Sequence, residues 1–300
     1  MRGNMGECKM CPRRCGADRE NGKRGYCGES AGIRVARTSL HMWEEPCITG
    51  EHGSGTVFFS GCALKCIFCQ NRTIAGSTVG KELTLEELAD AFLRLQDKGA
   101  ANINLVTAGH FADRLIPVIG LAKNKGLKIP LVYNSSGYET VETLKKLDGL
   151  VDIYLPDCKF YSKEIAGAYA NAPDYFDITK DAIKEMVRQA GWPQFEENTG
   201  IMKKGVIVRH LVLPGHTKDS ESIIQYLFET YGNKIYISIM NQYTPMDTWT
   251  KFPNLNRRIT KREYERVVDF AISIGVQNAF IQEGETADES FIPKFDEGIL

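Results

Sequence analysis

Beyond residue 55 the chain alternates short apolar runs with longer amphipathic stretches. TVFFS (56–60), INLVT (103–107), IPLVYN (129–134), VDIYL (151–155), VIVRHLVL (206–213) and KIYISIM (234–240) are brief, rich in β-branched residues and bounded by turn signals. They predict strands. Between them the apolar positions fall at helical spacing. The clearest case begins at Thr84, which with Glu87 makes a capping box. Leu85, Leu88, Phe92 and Leu95 then share one face, and Gly99 supplies the stop. Further helices are predicted over 112–125, with Pro117 inside, and over 138–147, 176–190, 219–231 and 261–274.

Six strands, each followed by a helical stretch, predict an α/β protein with parallel strands and right-handed crossovers. A closed eight-unit barrel takes about 250 residues, more than the region 54–245 offers. An open partial barrel fits that length, with ligands at the carboxyl ends of the strands; a doubly wound open sheet is the alternative. Residues 1–53 are rich in Cys, Arg and Gly and show little periodicity, so they read as an N-terminal module that depends on ligation more than on a core. Residues 246–300 read as a C-terminal extension.

Composition sharpens this picture. With 43% hydrophobic and 25% charged residues the chain is typical of a soluble globular protein. A net charge of −1 gives no electrostatic reason to expect a nucleic acid or an anionic membrane as partner. No apolar run reaches the roughly 18 residues that span a bilayer, and no secretory leader pattern opens the chain, so a cytoplasmic protein is expected. Nine cysteines are then notable, because a reducing compartment disfavours disulfides and clustered cysteines there point to metal or catalysis. Cys47 and Cys158 stand alone and read as packing residues, although Cys158 lies beside the expected active end.

The central motif is GCALKCIFCQN (61–71), in which Cys62, Cys66 and Cys69 directly follow the first predicted strand. Three thiolates on one tight loop can bind three irons of a 4Fe-4S cluster. The fourth iron is left with an open position, as a metal needs in order to engage a substrate. S-adenosylmethionine can fill that position through its amino nitrogen and carboxylate oxygen. One electron passed to its sulfonium then yields a 5′-deoxyadenosyl radical able to abstract hydrogen from an unactivated C–H bond. The competing readings are three of four zinc ligands, with no fourth ligand nearby in sequence, or three thiols that simply pack.

Cys8, Cys11, Cys15 and Cys27 form a separate C-x2-C-x3-C-x11-C set, among Arg13, Arg14, Arg19, Lys23 and Arg24. Four thiolates can close a tetrahedral site, and neighbouring positive charge stabilises them. The spacing is compatible with a second Fe-S cluster, a structural zinc, or free redox-active thiols.

GSGTVFFSGCALKCIFCQN resembles the cluster loop of the radical SAM superfamily, and the chain is similar to uncharacterised relatives of pyruvate formate-lyase activating enzyme. The likeness extends to CKMCPRRCGADR, HMWEEPCITG, NINLVTAGHF, LVYNSSGY, VDIYLPDCKF, RHLVLPG and SIMNQYTP. It implies a partial (β/α)6 barrel and S-adenosylmethionine contacts after the second strand, where Thr107, Ala108, Gly109 and His110 stand. That segment departs from the usual GGE type, having one glycine and no acid. The likeness also places Asn134, Ser135 and Ser136 near the ribose and Arg209 near the S-adenosylmethionine carboxylate, which a guanidinium can hold with two parallel bonds. Each has a structural alternative: Ser135 and Ser136 as a turn, Arg209 as an ion-pair partner, His110 as a buried structural residue. Asp157 and Lys159, past the fourth strand, either pair with each other or face the substrate. Finally, the resemblance implies hydrogen abstraction from a protein or peptide, with glycyl-radical enzyme activation as the specific activity and flavodoxin or ferredoxin as the electron donor. A small-molecule substrate and a non-catalytic zinc module are the rival readings.

Overall fold

The computed structural model describes residues 7–282; the last 18 positions of the extension read over 246–300 lie outside them. Ten strands join one sheet: β1 (Ile33–His41), β2 (Ser54–Phe59), β3 (Lys81–Leu83), β4 (Ile103–Val106), β5 (Leu131–Ser135), β6 (Ile153–Pro156), β7 (Gln194–Phe195), β8 (Met202–Leu211), β9 (Tyr236–Met240) and β10 (Ala279–Ile281). The helices are α1 (Pro46–Thr49), α2 (Arg72–Ala75), α3 (Leu85–Asp97), α4 (Ala112–Asn124), α5 (Val141–Lys145), α6 (Lys163–Ala170), α7 (Tyr175–Ala190), α8 (Thr217–Tyr231) and α9 (Lys261–Ser273).

All six predicted strands form, as β2, β4, β5, β6, β8 and β9. They pair in parallel and in chain order, and β10 adds a seventh parallel strand on β9. Each crossover therefore adds its strand to the same growing edge. A doubly wound sheet reverses direction at a switch point; this order, β10-β9-β8-β6-β5-β4-β2-β1-β3, has none among its parallel strands. The order is the singly wound one that a partial barrel has. At the other edge β1 runs antiparallel to β2, and β3 antiparallel to β1.

The period-2 alternation of the strands decides which side chains go where. Leu131 and Tyr133 of β5, Tyr154 of β6, and Val206 and Val208 of β8 pack with α3, α4, α7 and α8 in the main core. The alternate residues Val132, Ile153, Leu155 and Ile207 face the other way and meet Cys47 and Ile48 of α1. The long helices thus cover one face of the sheet, and one turn of helix fills part of the other.

The helix reading needs two corrections. The stretch 138–147 is helical only over Val141–Lys145, because Thr140 caps α5 by accepting from the Thr143 amide while Gly137, at φ +77°, holds a turn before it. The segment 163–170, to which no element was assigned, is helix α6, capped by Ser162. The capping box on α3 forms as expected: Thr84 Oγ1 accepts from the Glu87 amide at 3.1 Å, and Glu87 Oε2 accepts from the Thr84 amide at 2.9 Å. Thr84→Ala should lower stability by about 1 kcal/mol, read as a drop in thermal midpoint, with no change in metal content.

Candidate active site

A cleft with a cavity volume of about 250 Å³ opens at the carboxyl ends of the parallel strands. Cys62, Cys66 and Cys69 line it, from the loop after β2; so do Thr107 after β4, Asn134 and Ser136 from β5 and its end, Asp157 and Lys159 after β6, and Arg209 on β8. Asn134, Asp157 and Arg209 lie two residues beyond Val132, Leu155 and Ile207, so the same alternation carries them onto the face that α1 covers below.

The cysteine loop is shaped by its backbone. Gly61 sits at φ +85°, and a side chain there would stand 2.9 Å from the Cys27 carbonyl oxygen. Lys65 takes the left-handed conformation at φ 51° and turns the chain between Cys62 and Cys66. The Cys62 sulfur accepts from the Leu64 amide at 3.3 Å, and the Cys69 amide donates to the Cys66 carbonyl at 3.1 Å. Burial pushes the Cys66 thiol well above its ordinary range and that of Cys69 up to about 11, with Lys159 the opposing positive charge in both cases. Sulfurs so placed become thiolates when a cation compensates the charge, which is the chemistry of a metal-ligand set.

Among the described residues no three Cys, His, Asp or Glu side chains are grouped to hold a metal ion. A 4Fe-4S cluster asks for a different arrangement, since each thiolate binds its own iron and the sulfurs surround the cluster instead of meeting at a point. Three cysteines on one loop facing a cavity fit that demand.

Beside them runs a largely buried charge network. Arg209 donates from Nε to Asp157 Oδ1 at 3.1 Å, from Nη1 to Glu44 Oε2 at 3.1 Å, and from Nη2 to Asn134 Oδ1 at 2.5 Å. Lys159 Nζ donates to Asp157 Oδ2 at 2.5 Å, and Asn104 Nδ2 to Glu44 Oε1 at 2.9 Å. Burial would raise the Asp157 carboxyl, but Lys159 and Arg209 together outweigh it and hold it below its ordinary value. For Glu44 burial prevails over Arg209, and the group is raised.

Three residues expected at the site do not line the cleft. Ser135 shares the parity of Tyr133 and so faces the helix side, where its hydroxyl donates to Glu139 Oε1 at 2.8 Å and accepts from the Gly137 amide at 3.0 Å. His110 is buried with Nε2 2.7 Å from the Ser60 carbonyl oxygen, which is the structural alternative. Gly109 opens the same short 3-10 turn, Gly109–Phe111, against the Glu139 carboxylate. Asp157 and Lys159 do pair, but as half-buried members of the network and not as an isolated surface pair.

Glu44 was not singled out from the sequence, nor were His41 and Trp43, which also line the cleft. They stand at the end of β1 and in the turn before α1, outside the cysteine loop. The adjacent acids Glu44 and Glu45 before an apolar turn were the available signal, and only the closing of the sheet around α1 brings Glu44 to Arg209.

Comparisons with known proteins agree with this geometry. A family profile described as the radical SAM superfamily matches residues 56–227, more than half of the chain. An uncharacterized protein of Methanocaldococcus jannaschii is 30% identical over 272 residues, 88% of this chain and 74% of that protein. A pyruvate formate-lyase-activating enzyme of Clostridium pasteurianum is 30% identical over 175 residues, covering 56% of this chain and 65% of its own length. Among solved structures, a radical SAM methyltransferase from Sphaerobacter thermophilus superposes with a TM-score of 0.52 at 17% identity, over 76% of this chain and 66% of that one, a likeness of fold alone. Three cysteines at the carboxyl end of the first parallel strand, a singly wound sheet and a profile match that begins within that strand converge on one conclusion: the chain belongs to the radical SAM superfamily, enzymes whose cofactors are a 4Fe-4S cluster and S-adenosylmethionine.

Proposed function

We propose that this radical SAM enzyme abstracts hydrogen from a protein or peptide, and that its specific task is to activate a glycyl-radical enzyme. The observation that carries the reading is the 30% identity with the Clostridium activating enzyme. The cleft is compatible with it: Trp43 at its edge is 59% exposed and neighbouring Met42 47%, leaving an apolar rim of the kind on which polypeptide docks. Cys62, Cys66 and Cys69 would hold the cluster, while Thr107, Asn134, Ser136 and Arg209 offer polar groups to S-adenosylmethionine. When bound, the two cofactors supply one-electron cleavage of the sulfonium and a hydrogen-abstracting radical. The chain's own residues exclude water around that event with Phe58, Phe68 and Leu211 and hold the charged groups in fixed positions. An electron donor of the flavodoxin or ferredoxin class completes the proposal, set in the cytoplasm, with no nucleic acid and no membrane as partner. Among the described residues no helix is long and apolar enough to cross a membrane.

Mixing the reduced, cluster-loaded protein with a glycyl-radical enzyme and S-adenosylmethionine under anaerobic conditions tests this. The expected result is a glycyl radical on the partner, seen by electron paramagnetic resonance, with a matching yield of 5′-deoxyadenosine. If 5′-deoxyadenosine release responds only to small molecules and no radical forms on any protein, the polypeptide assignment is wrong.

A further inference from the structure

A second group of thiols gathers outside the cleft. Cys8, Cys11, Cys15 and Cys27 lie on two loops. One is closed by the Cys8 amide donating to the Ala17 carbonyl and the Gly16 amide to the Cys8 carbonyl, each at 3.1 Å. The other is closed by the Gly25 amide donating to the Glu29 carbonyl at 3.0 Å and the Gly28 amide to the Gly25 carbonyl at 2.9 Å. Gly25 lies between two of the sulfurs: a Cβ there would stand 3.2 Å from Cys15 Sγ and 3.5 Å from Cys27 Sγ. The Arg14 amide donates to the Cys11 carbonyl at 3.0 Å, so Cys8, Cys11 and Cys15 share the first loop, and Gly25 brings Cys15 and Cys27 together across the two. None is in a disulfide.

Something must hold these loops in place. Between Glu7 and Gly32 the buried apolar side chains are Cys11 and Cys27 alone, and the partly buried Met10 reaches the main core, so the segment has little core besides its own thiols. Small units without a core depend on a cross-link, and a metal centre is one. Positive charge is at hand, with the Arg19 guanidinium 4.0 Å from the Cys8 sulfur.

These loops also grip the loop of the first cluster. The Cys62 amide donates to the Cys27 carbonyl at 3.2 Å. Arg13, two residues after Cys11, donates from Nε to the Ala63 carbonyl at 2.8 Å, from Nη2 to Ala170 at 2.8 Å and from Nη1 to Asn171 at 2.5 Å. It thereby ties the cysteine loop to the end of α6. Tyr26 lies beneath both Arg13, at 4.4 Å, and Lys65, at 5.3 Å.

We propose that Cys8, Cys11, Cys15 and Cys27 form a second, closed iron–sulfur site whose occupancy locks the loop carrying Cys62, Cys66 and Cys69. Iron–sulfur is favoured over a single zinc because the four thiols come from two loops with Gly25 standing between the Cys15 and Cys27 sulfurs, a spread that suits a cubane, which gives each thiolate its own iron. With all four positions ligated no iron is left open, so the site's role is to position and not to bind substrate. The locking half rests on Cys62, Cys66 and Cys69 as ligands of the first cluster; the metal site itself does not.

Iron and zinc analysis after anaerobic reconstitution, joined to hydrogen exchange over residues 61–67, tests both halves. The triple variant Cys62→Ala/Cys66→Ala/Cys69→Ala should fall from about eight iron to about four per chain, and the remaining four belong to the second site. Cys15→Ala, at an exposed position, should lose the other four and exchange at least ~10-fold faster over 61–67, as expected when charge-assisted contacts loosen. Arg13→Ala should keep all the iron and show the same faster exchange. A triple variant free of iron, or one holding zinc in its place, would overturn the iron–sulfur assignment. Unchanged exchange in Arg13→Ala would overturn the lock, even if Cys15→Ala fails to fold. Eight iron retained in the triple variant would instead count against the reading of the first site.

Discussion

Replacing any one of Cys62, Cys66 and Cys69 by alanine is expected to reduce 5′-deoxyadenosine formation from S-adenosylmethionine to the background of iron-free protein. The loop offers three thiols to a cluster that needs three irons held and one left open, and no fourth thiol of the same loop stands in reserve. Removing one sulfur leaves two irons exposed, which no longer defines a single open position. The effect is not expected to come through the fold. The loop is anchored by backbone bonds from the Gly61 amide to the Ile74 carbonyl at 2.7 Å and from the Ile67 amide to the Tyr169 carbonyl at 2.9 Å, and these survive the substitution. Loss of one sulfur at a partly buried position costs at most a few kcal/mol, so circular dichroism should show the parent's fold even where the thermal midpoint falls by several degrees. Full activity in any of the three single variants would reassign the loop.

Arg209→Ala is expected to be the most destabilising single change at the site, by about 3–5 kcal/mol. The guanidinium is the hub of the buried network: it donates to Asp157, Glu44 and Asn134. Alanine would leave the Asp157 carboxylate with Lys159 alone and Glu44 with the Asn104 amide alone. Truncating one partner of such a group costs far more than the pair contributes net, because the remaining charge stays buried. Arg209→Lys should recover little, since an ammonium cannot reach three partners with the planar fork. Thermal and chemical unfolding of the variants checks this. Calorimetry with S-adenosylmethionine on cluster-loaded protein measures the second consequence, a roughly 10- to 150-fold weaker affinity if one charge-assisted contact to the ligand is lost as well. Stability within ~0.5 kcal/mol of the parent in Arg209→Ala would show that the network is not a structural element.

How far the sequence alone reaches is clear from particular residues. The six parallel strands were legible because their apolar runs are short and bounded by turn residues, and α3 because its capping box and apolar face coincide. The seventh strand was not, since Ala279–Ile281 is three residues long and carries no alternation to detect. β1 escaped because a register irregularity between Val35 and Arg37 interrupts its alternation, and β3 because Lys81–Leu83 is only three residues long. At the site, the cysteine loop was legible from spacing alone. Ser135 and Ser136 were not separable by residue type; strand parity turns the first toward Glu139 and leaves the second at the cleft. Glu44 was invisible for a different reason. Its partner, Arg209, is 165 positions away, and only α1 packing against β5, β6 and β8 brings the two together.

The central claim is that Cys62, Cys66 and Cys69 hold a cluster with an open iron that S-adenosylmethionine occupies. Electron paramagnetic resonance of the reduced, reconstituted protein, recorded before and after S-adenosylmethionine is added, tests it most directly. A ligand bound to the open iron changes the cluster's electronic environment, so the signal should shift on addition in the parent, and no such shift should remain in Cys66→Ala. Identical spectra with and without S-adenosylmethionine in the fully loaded parent would contradict the account.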